Sequence, residues 1–182
     1  MRSIYKLVVC SLLTLSITSC EKDLLEKEQY QKEIYLIGAY NRVWTTEVSY
    51  SNEEVKTYFT VSSSGTLALD RDVNVKMKIN EELVDIYNRK YWTVLNEDKY
   101  YKSLDTDLYS IPSLENTVIK HAEGISAEVP VLIKTASLKI DQSYVIPVEI
   151  ESTTGYPISE SGYKMLILLK LKNDYSGSYQ MS

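Results

Sequence analysis

Val73-Asn74-Val75-Lys76-Met77-Lys78-Ile79-Asn80 alternates apolar and polar side chains without a break. Successive side chains of a β-strand point to opposite faces. Val73, Val75, Met77 and Ile79 therefore share one face, and Asn74, Lys76 and Lys78 share the other. A dry face backed by a wet one is the mark of a sheet packed on a core on one side only. The same period recurs on both sides of this stretch. Upstream, Val55, Thr57, Phe59 and Val61 fall in one phase, and Ser62-Ser63-Ser64-Gly65 reads as the loop that ends the strand. Downstream, Ile125, Ala127, Val129, Val131 and Ile133 alternate, with Pro130 on the opposite phase. A proline there argues for an edge or bulged position, because it has no N–H to give a ladder. Tyr144, Ile146, Val148 and Ile150 form another face, with Pro147 out of phase. From Tyr163 to Leu171 the chain is apolar on both phases between Met165 and Leu169, which predicts a strand covered on both faces. Ile34 to Ile37 and Thr45 to Tyr50 are weaker strand candidates.

One helix interrupts the series. Asn80 is placed to cap it, Glu81 and Glu82 suit its positive N-terminal end, and Leu83, Ile86 and Tyr87 share a face. Asn88 is the expected stop, and an irregular stretch follows from Arg89 to about Asn116. Short alternating strands with turn residues between them specify an all-β chain, read here as a β-sandwich with one short helix and a long loop.

The N-terminus has a different composition. Arg2 and Lys6 precede an apolar run, Leu7 to Ile17, that is too short to span a bilayer core, for which about 20 apolar residues are needed. A basic start, a short apolar segment and then small residues are the layout of a cleaved signal peptide. Ile17-Thr18-Ser19-Cys20 resembles the bacterial lipobox. That resemblance implies diacylation of the Cys20 thiol, cleavage before it and acylation of the new amine. Several acyl chains, at about 0.8 kcal/mol per buried CH₂, anchor a protein stably where one chain is marginal. Cys10 would leave with the signal peptide, so Cys20 is the sole cysteine of the expected mature chain and no internal disulfide is available to it. Glu21-Lys22-Asp23 resembles the acidic surface-export signal of Bacteroidetes lipoproteins. The expected address is the outer membrane, lipid-anchored and at the cell surface, with its periplasmic face as the alternative. The expected organisation is residues 1–19 as signal peptide, 20–32 as a charged lipidated stalk, 33–175 as the sandwich domain and 176–182 as a tail.

Composition limits the function. Loss of Arg2 and Lys6 with the signal peptide takes 20 basic side chains to 18, against 25 acidic, for a net charge near −7. With no Lys/Arg cluster and this charge, nucleic acid is rejected as a partner. Sixteen tyrosines stand against one phenylalanine, which suits half-exposed β surfaces and wet interfaces.

The chain carries few groups for chemistry. His121, in Lys120-His-Ala-Glu-Gly124, is the one histidine and reads as a solvated residue of a hairpin turn. It has no second histidine or nearby cysteine for zinc, and no serine sits in a G-x-S-x-G setting. Glu53/Glu54 and Glu81/Glu82 are adjacent acids, unlike the separated carboxyls that flank a glycosidic bond. Asp70-Arg71-Asp72 and Asp105-Thr106-Asp107 fall short of a calcium loop. No enzyme activity, metal or cofactor is expected. Tyr87, Tyr91, Trp92, Tyr100, Tyr101 and Tyr109 crowd into the helix and the long loop. Flat rings stack on the C–H faces of sugars, which makes Tyr91, Trp92, Tyr100 and Tyr101 candidate glycan-stacking residues. The simpler reading is that these rings anchor the loop to the sandwich.

An ordered set of segments carries a family resemblance: Val61 to Leu67, Asp72 to Val75, Glu81 to Asn88, Ile119 to Gly124, Tyr144 to Pro147 and Asn173-Asp-Tyr-Ser-Gly-Ser-Tyr179. From about residue 33 onward the chain resembles the Bacteroidetes lipoproteins with domain of unknown function 1735. The resemblance implies an immunoglobulin-like β-sandwich, in polysaccharide-utilisation systems beside TonB-dependent transporters. In longer relatives the Asn173–Tyr179 segment leads into a glycan-binding or hydrolase module, whereas this sequence ends at Ser182. The expectation is therefore an accessory, glycan-binding or spacer module with polysaccharide and a transporter complex as partners. The alternative is a structural or adhesin-like assembly subunit.

Overall fold

The computed structural model describes residues 27–172. Cys20, the signal peptide and the Asn173–Tyr179 segment lie outside the described residues. The described residues form an all-β sandwich of two sheets with one α-helix on an outer face. The first sheet has the order β1 (Ile34–Leu36), β3 (Glu54–Ser63), β8 (Ser126–Lys134), β6 (Tyr109–Ser110). The second runs β2 (Val43–Ser49), β10 (Lys164–Lys172), β9 (Tyr144–Thr153), β4 (Val73–Ile79), β7 (Thr117–Ile119), and β5 (Lys102–Ser103) adds to β9 beyond the end of β4. Neighbours are antiparallel except for β2 against β10 and β5 against β9.

The alternation in the sequence is realised. Val73, Val75 and Met77 are buried while Asn74, Lys76 and Lys78 are exposed. Thr57, Phe59 and Val61 of β3 and Val129, Val131 and Ile133 of β8 meet them from the facing sheet in one core. The wet face of β4 carries Lys76 to Glu151 at 2.7 Å and Lys78 to Glu149 at 3.7 Å. Exposed pairs of this kind contribute about 0–1 kcal/mol each, so the buried apolar face holds the strand. Pro130 lies opposite Tyr58 at a point that β6 does not reach, so β8 has an open side there.

β10 is covered on both faces. Met165, Ile167 and Leu169 enter the intersheet core, whereas Leu166 and Leu168 face the helix. β9 splits likewise, with Ile146 and Val148 inward and Val145 against the helix. The helix, α1 (Glu82–Tyr91), is ten residues long and would be marginal alone in water. Leu83 and Val84 bury against Val145 and Leu166. At about 1.5–3 kcal/mol for each buried aliphatic side chain, this packing holds it in place. The Asn80 side-chain oxygen accepts the Glu82 N–H at 3.2 Å, and Glu82 and Asp85 occupy the first turn.

Five expectations are corrected. Ser62 and Ser63 continue β3, paired to β1 and almost fully buried, because β1 folds back over that end. The helix runs three residues past Asn88, to Tyr91, and Ile86 is 52% exposed instead of sharing the buried face. The Lys120–Gly124 turn joins strands of different sheets, β7 and β8, and is no hairpin. The stretch from Arg89 to Asn116 contains β5, β6 and two 3-10 turns, and it carries the chain from the second sheet to the first.

Candidate functional site

A concave feature lies where α1 meets the start of β2. Gly38 and Arg42 bracket a 3-10 turn, Ala39–Asn41, and both have left-handed backbones, with φ of 88° and 62°. At Gly38 the requirement is also steric, since a Cβ there would lie 2.5 Å from Cε3 of Trp44. Buried Ala39 pins the turn to the core, and Tyr40 is thrown outward, 87% exposed. Between this turn, the first two turns of α1 and residues 160–166 is a groove of about 250 Å³. Leu83, Met165 and Leu166 form its buried floor, and Tyr40, Ile86 and Tyr87 its apolar walls. Arg42, Glu160, Ser161 and Lys164 supply its polar groups.

Arg42 is the one non-glycine residue with positive φ among the described residues. An L-residue held left-handed costs roughly 1–2 kcal/mol. Strain of this kind concentrates at functional positions. Arg42→Gly is accordingly expected to raise stability by about 1 kcal/mol, read as a rise of roughly 2–4 °C in thermal midpoint. An unchanged or lower midpoint would show that the guanidinium itself stabilises the fold.

The aromatic cluster lies farther along the helix. Tyr101 stacks on Tyr87 with centroids 5.2 Å apart and planes at 11°, and Tyr87 meets Tyr91 at 4.4 Å and 33°. Burial, then the neighbouring Tyr101, pushes the Tyr87 hydroxyl up to about 12, so it stays a neutral hydrogen-bonding group at ordinary pH. Tyr91 and Tyr101 are thus brought together through Tyr87, one face of Tyr101 being covered. Trp92, half-buried, sits instead beside Lys99, whose Nζ is 5.6 Å from its ring centroid. Tyr100 is half-buried and makes no ring contact with the stack. Tyr109 leaves the cluster altogether and packs on the intersheet core. Asn88 fixes this layout: its Nδ2 donates to the Tyr101 carbonyl and its Oδ1 accepts the Tyr101 N–H, both at 2.9 Å. Tyr87 lines the groove as well, so groove and stack form one continuous surface along α1.

The remaining candidates are dispersed. His121 pairs with Asp72, Nδ1 to Oδ1 2.6 Å, with both side chains about half exposed. That pairing holds the Asp72 carboxyl below its usual range. Asp70 is joined to Arg71 at 2.9 Å and to the Tyr156 hydroxyl, and these bonds, Arg71 first, hold its carboxyl far below the usual range. Glu53 and Glu54 are exposed, and Glu81 and Glu82 open the helix. Among the described residues there is no group of three His, Cys, Asp or Glu side chains that could hold a metal ion, and no helix long and apolar enough to cross a membrane.

Sequence reasoning missed the groove because its walls come from three separated segments. The one available signal was an aromatic residue, Tyr40, between Gly38 and Arg42 in a segment too short for a strand.

A family model described as "-like, N-terminal domain" matches residues 30–157, well over half of the chain. No curated protein matches. Several solved structures share the fold. A multidomain protein including DUF1735 from Bacteroides ovatus is 20% identical, with TM-score 0.60, covering 75% of this chain and 43% of its own. An auxiliary nutrient binding protein from Bacteroides thetaiotaomicron is 17% identical, with TM-score 0.60, covering 77% and 47%. EndoBT-3987 of the same species, with its Man5GlcNAc product, is 19% identical, with TM-score 0.54, covering 76% and 30%. This chain spans less than half of each of these structures.

Proposed function

The chain belongs to the domain of unknown function 1735 family of Bacteroidetes proteins, and from that premise we propose a non-enzymatic accessory role in glycan uptake, as a glycan-binding or spacer module. The reading includes a lipid tether at Cys20, display at the outer-membrane surface, and a place beside a TonB-dependent transporter. Nutrient binding by one structural neighbour and glycan cleavage by another favour a glycan-related setting.

The observation that carries the binding role is the groove beside α1. Small-molecule sites are concave and mostly apolar, with a few converging polar groups. Here exposed Tyr40 offers a ring face for sugar C–H groups, and Arg42, Glu160 and Ser161 offer hydrogen bonds to hydroxyls. The exposed Tyr91 and half-buried Trp92 extend the surface along the helix, so Tyr91, Trp92, Tyr100 and Tyr101 are assigned a secondary stacking role. Affinity electrophoresis against a polysaccharide panel tests this. Retardation by at least one glycan is expected, weakened about tenfold by Tyr40→Ala, the loss of about 1.4 kcal/mol, and less by Trp92→Ala. Retention of full binding by both variants would remove the site, and hydrolysis of any glycan would overturn the non-enzymatic role.

The assembly-subunit reading has one observation in its favour. β2 is paired only on its β10 side, leaving the outer edge of Val43–Ser49 open among the described residues. Strand addition to such an edge is a known mode of subunit assembly. Exposed Glu47, tied to Lys172, works against it. Transporter genes beside this gene favour the first reading and pilus genes the second.

A further inference from the structure

The polar groups of the groove are unevenly charged. Arg42 and Lys164 bring two cations and Glu160 one carboxylate. They are held at the same end of adjacent strands: the Arg42 carbonyl accepts the Leu166 N–H at 2.8 Å, and Lys164 opens β10 two residues earlier. Some surface cations are paired, Lys76 with Glu151, Lys120 with Glu123 and Lys172 with Glu47. Among the described residues neither the Arg42 guanidinium nor the Lys164 ammonium has a carboxylate partner. Lys164 Nζ is 4.8 Å from the ring centroid of Tyr163.

The left-handed backbone at Arg42 adds a second, independent observation. Glycine would fit that position without strain, and the arginine that stands there lines the groove. The chain as a whole is acidic, with a formal charge of −5, and the groove gathers two cations against one carboxylate.

We propose that the groove between α1 and the Gly38–Arg42 turn binds an anionic pyranose, its carboxylate or sulfate held by Arg42 and Lys164 and its ring face laid on Tyr40. This deepens the glycan-binding reading and rests on it. Arg42 presents a planar fork matched to two anionic oxygens, and Lys164 a point charge. Glu160 and Ser161 are left to receive or give hydrogen bonds at the sugar hydroxyls. Charged oligosaccharides suit the site better than long polyanions, which the acidic remainder of the surface would repel.

The test is calorimetric titration of the protein at about 0.15 M salt, where the screening length is about 8 Å and only close charges count. The probes are oligogalacturonate, its methyl ester, sulfated dextran oligosaccharide and plain dextran oligosaccharide. Binding of one anionic probe is expected, at least tenfold weaker for its neutral counterpart. Arg42→Gln and Lys164→Gln should each weaken it about tenfold, with thermal midpoints within a few degrees of the parent. The uronate and sulfate arms identify the source of the charge. Equal affinity for acid and methyl ester, or undiminished binding by both glutamine variants, overturns the inference. If a neutral glycan binds and only Tyr40→Ala removes it, the anionic assignment falls and the broader glycan reading stands. If no probe in this set or the wider panel binds, both fall.

Discussion

Cys20→Ser in the full chain is expected to abolish acyl labelling and outer-membrane retention completely. The argument is chemical. A thioether to a diacylglycerol needs the sulfur nucleophile, and Ile17-Thr18-Ser19 places that sulfur directly after an aliphatic and two small residues. At about 0.8 kcal/mol per buried CH₂, several long acyl chains would hold the protein on the bilayer essentially permanently. Metabolic labelling with a radioactive fatty acid, followed by membrane fractionation, reads the result. Persistent label in the serine variant would remove the tether from the account.

Asn88→Ala is expected to cost about 2–4 kcal/mol, the largest loss from any single polar truncation near the site. Asn88 is buried, and its amide satisfies both the N–H and the C=O of Tyr101. Truncation leaves these groups without partners, at about 1–3 kcal/mol each. The segment it holds continues into β5 and buried Leu104. Tyr101 would also leave its stack on Tyr87, so glycan binding along α1 should weaken with stability. Urea unfolding measures the first effect, where a change under about 0.5 kcal/mol would contradict the clamp. Asn88→Asp keeps an acceptor for the Tyr101 N–H and sets a carboxylate against the Tyr101 carbonyl, so it should be no better tolerated than alanine.

These two residues also mark how far the sequence could be read. The sandwich was legible because strand periodicity is local: Val73 to Ile79 and Val55 to Val61 declare their buried faces unaided. Even the double coverage of β10 was visible in Met165 to Leu169, since a run apolar on both phases needs two packing partners. Asn88 was legible only as a helix stop, because asparagine favours caps and turns over helix interiors. Its burial depends on Tyr101, thirteen residues away, returning to meet it. Ile86 misled for a related reason. Helical spacing places it beside Leu83 and Tyr87, but the packed stripe runs through Leu83, Val84 and Asn88, and Ile86 is turned into the groove wall. Arg42 gave no signal, since a left-handed arginine is set by its turn and not by its neighbours in sequence.

Of the four candidate stacking residues, Tyr101 fits the loop-anchoring reading. It anchors the crossover by stacking on Tyr87, and that same stack borders the groove. The loop-anchoring reading thus accounts for part of the tyrosine excess, while Tyr40, outside the crowded region, supplies the most exposed ring of the site.

The central claim is that this sandwich is a binding module whose ligand surface runs along α1. Amide chemical-shift mapping with isotopically labelled protein tests it most directly, using the oligosaccharide that gives the strongest retardation. The account predicts shifts concentrated at residues 38–42, 83–92 and 160–166, with the β7 end of the sandwich silent. Shifts centred on β7 or on the outer edge of β2, or none at millimolar glycan, would contradict it.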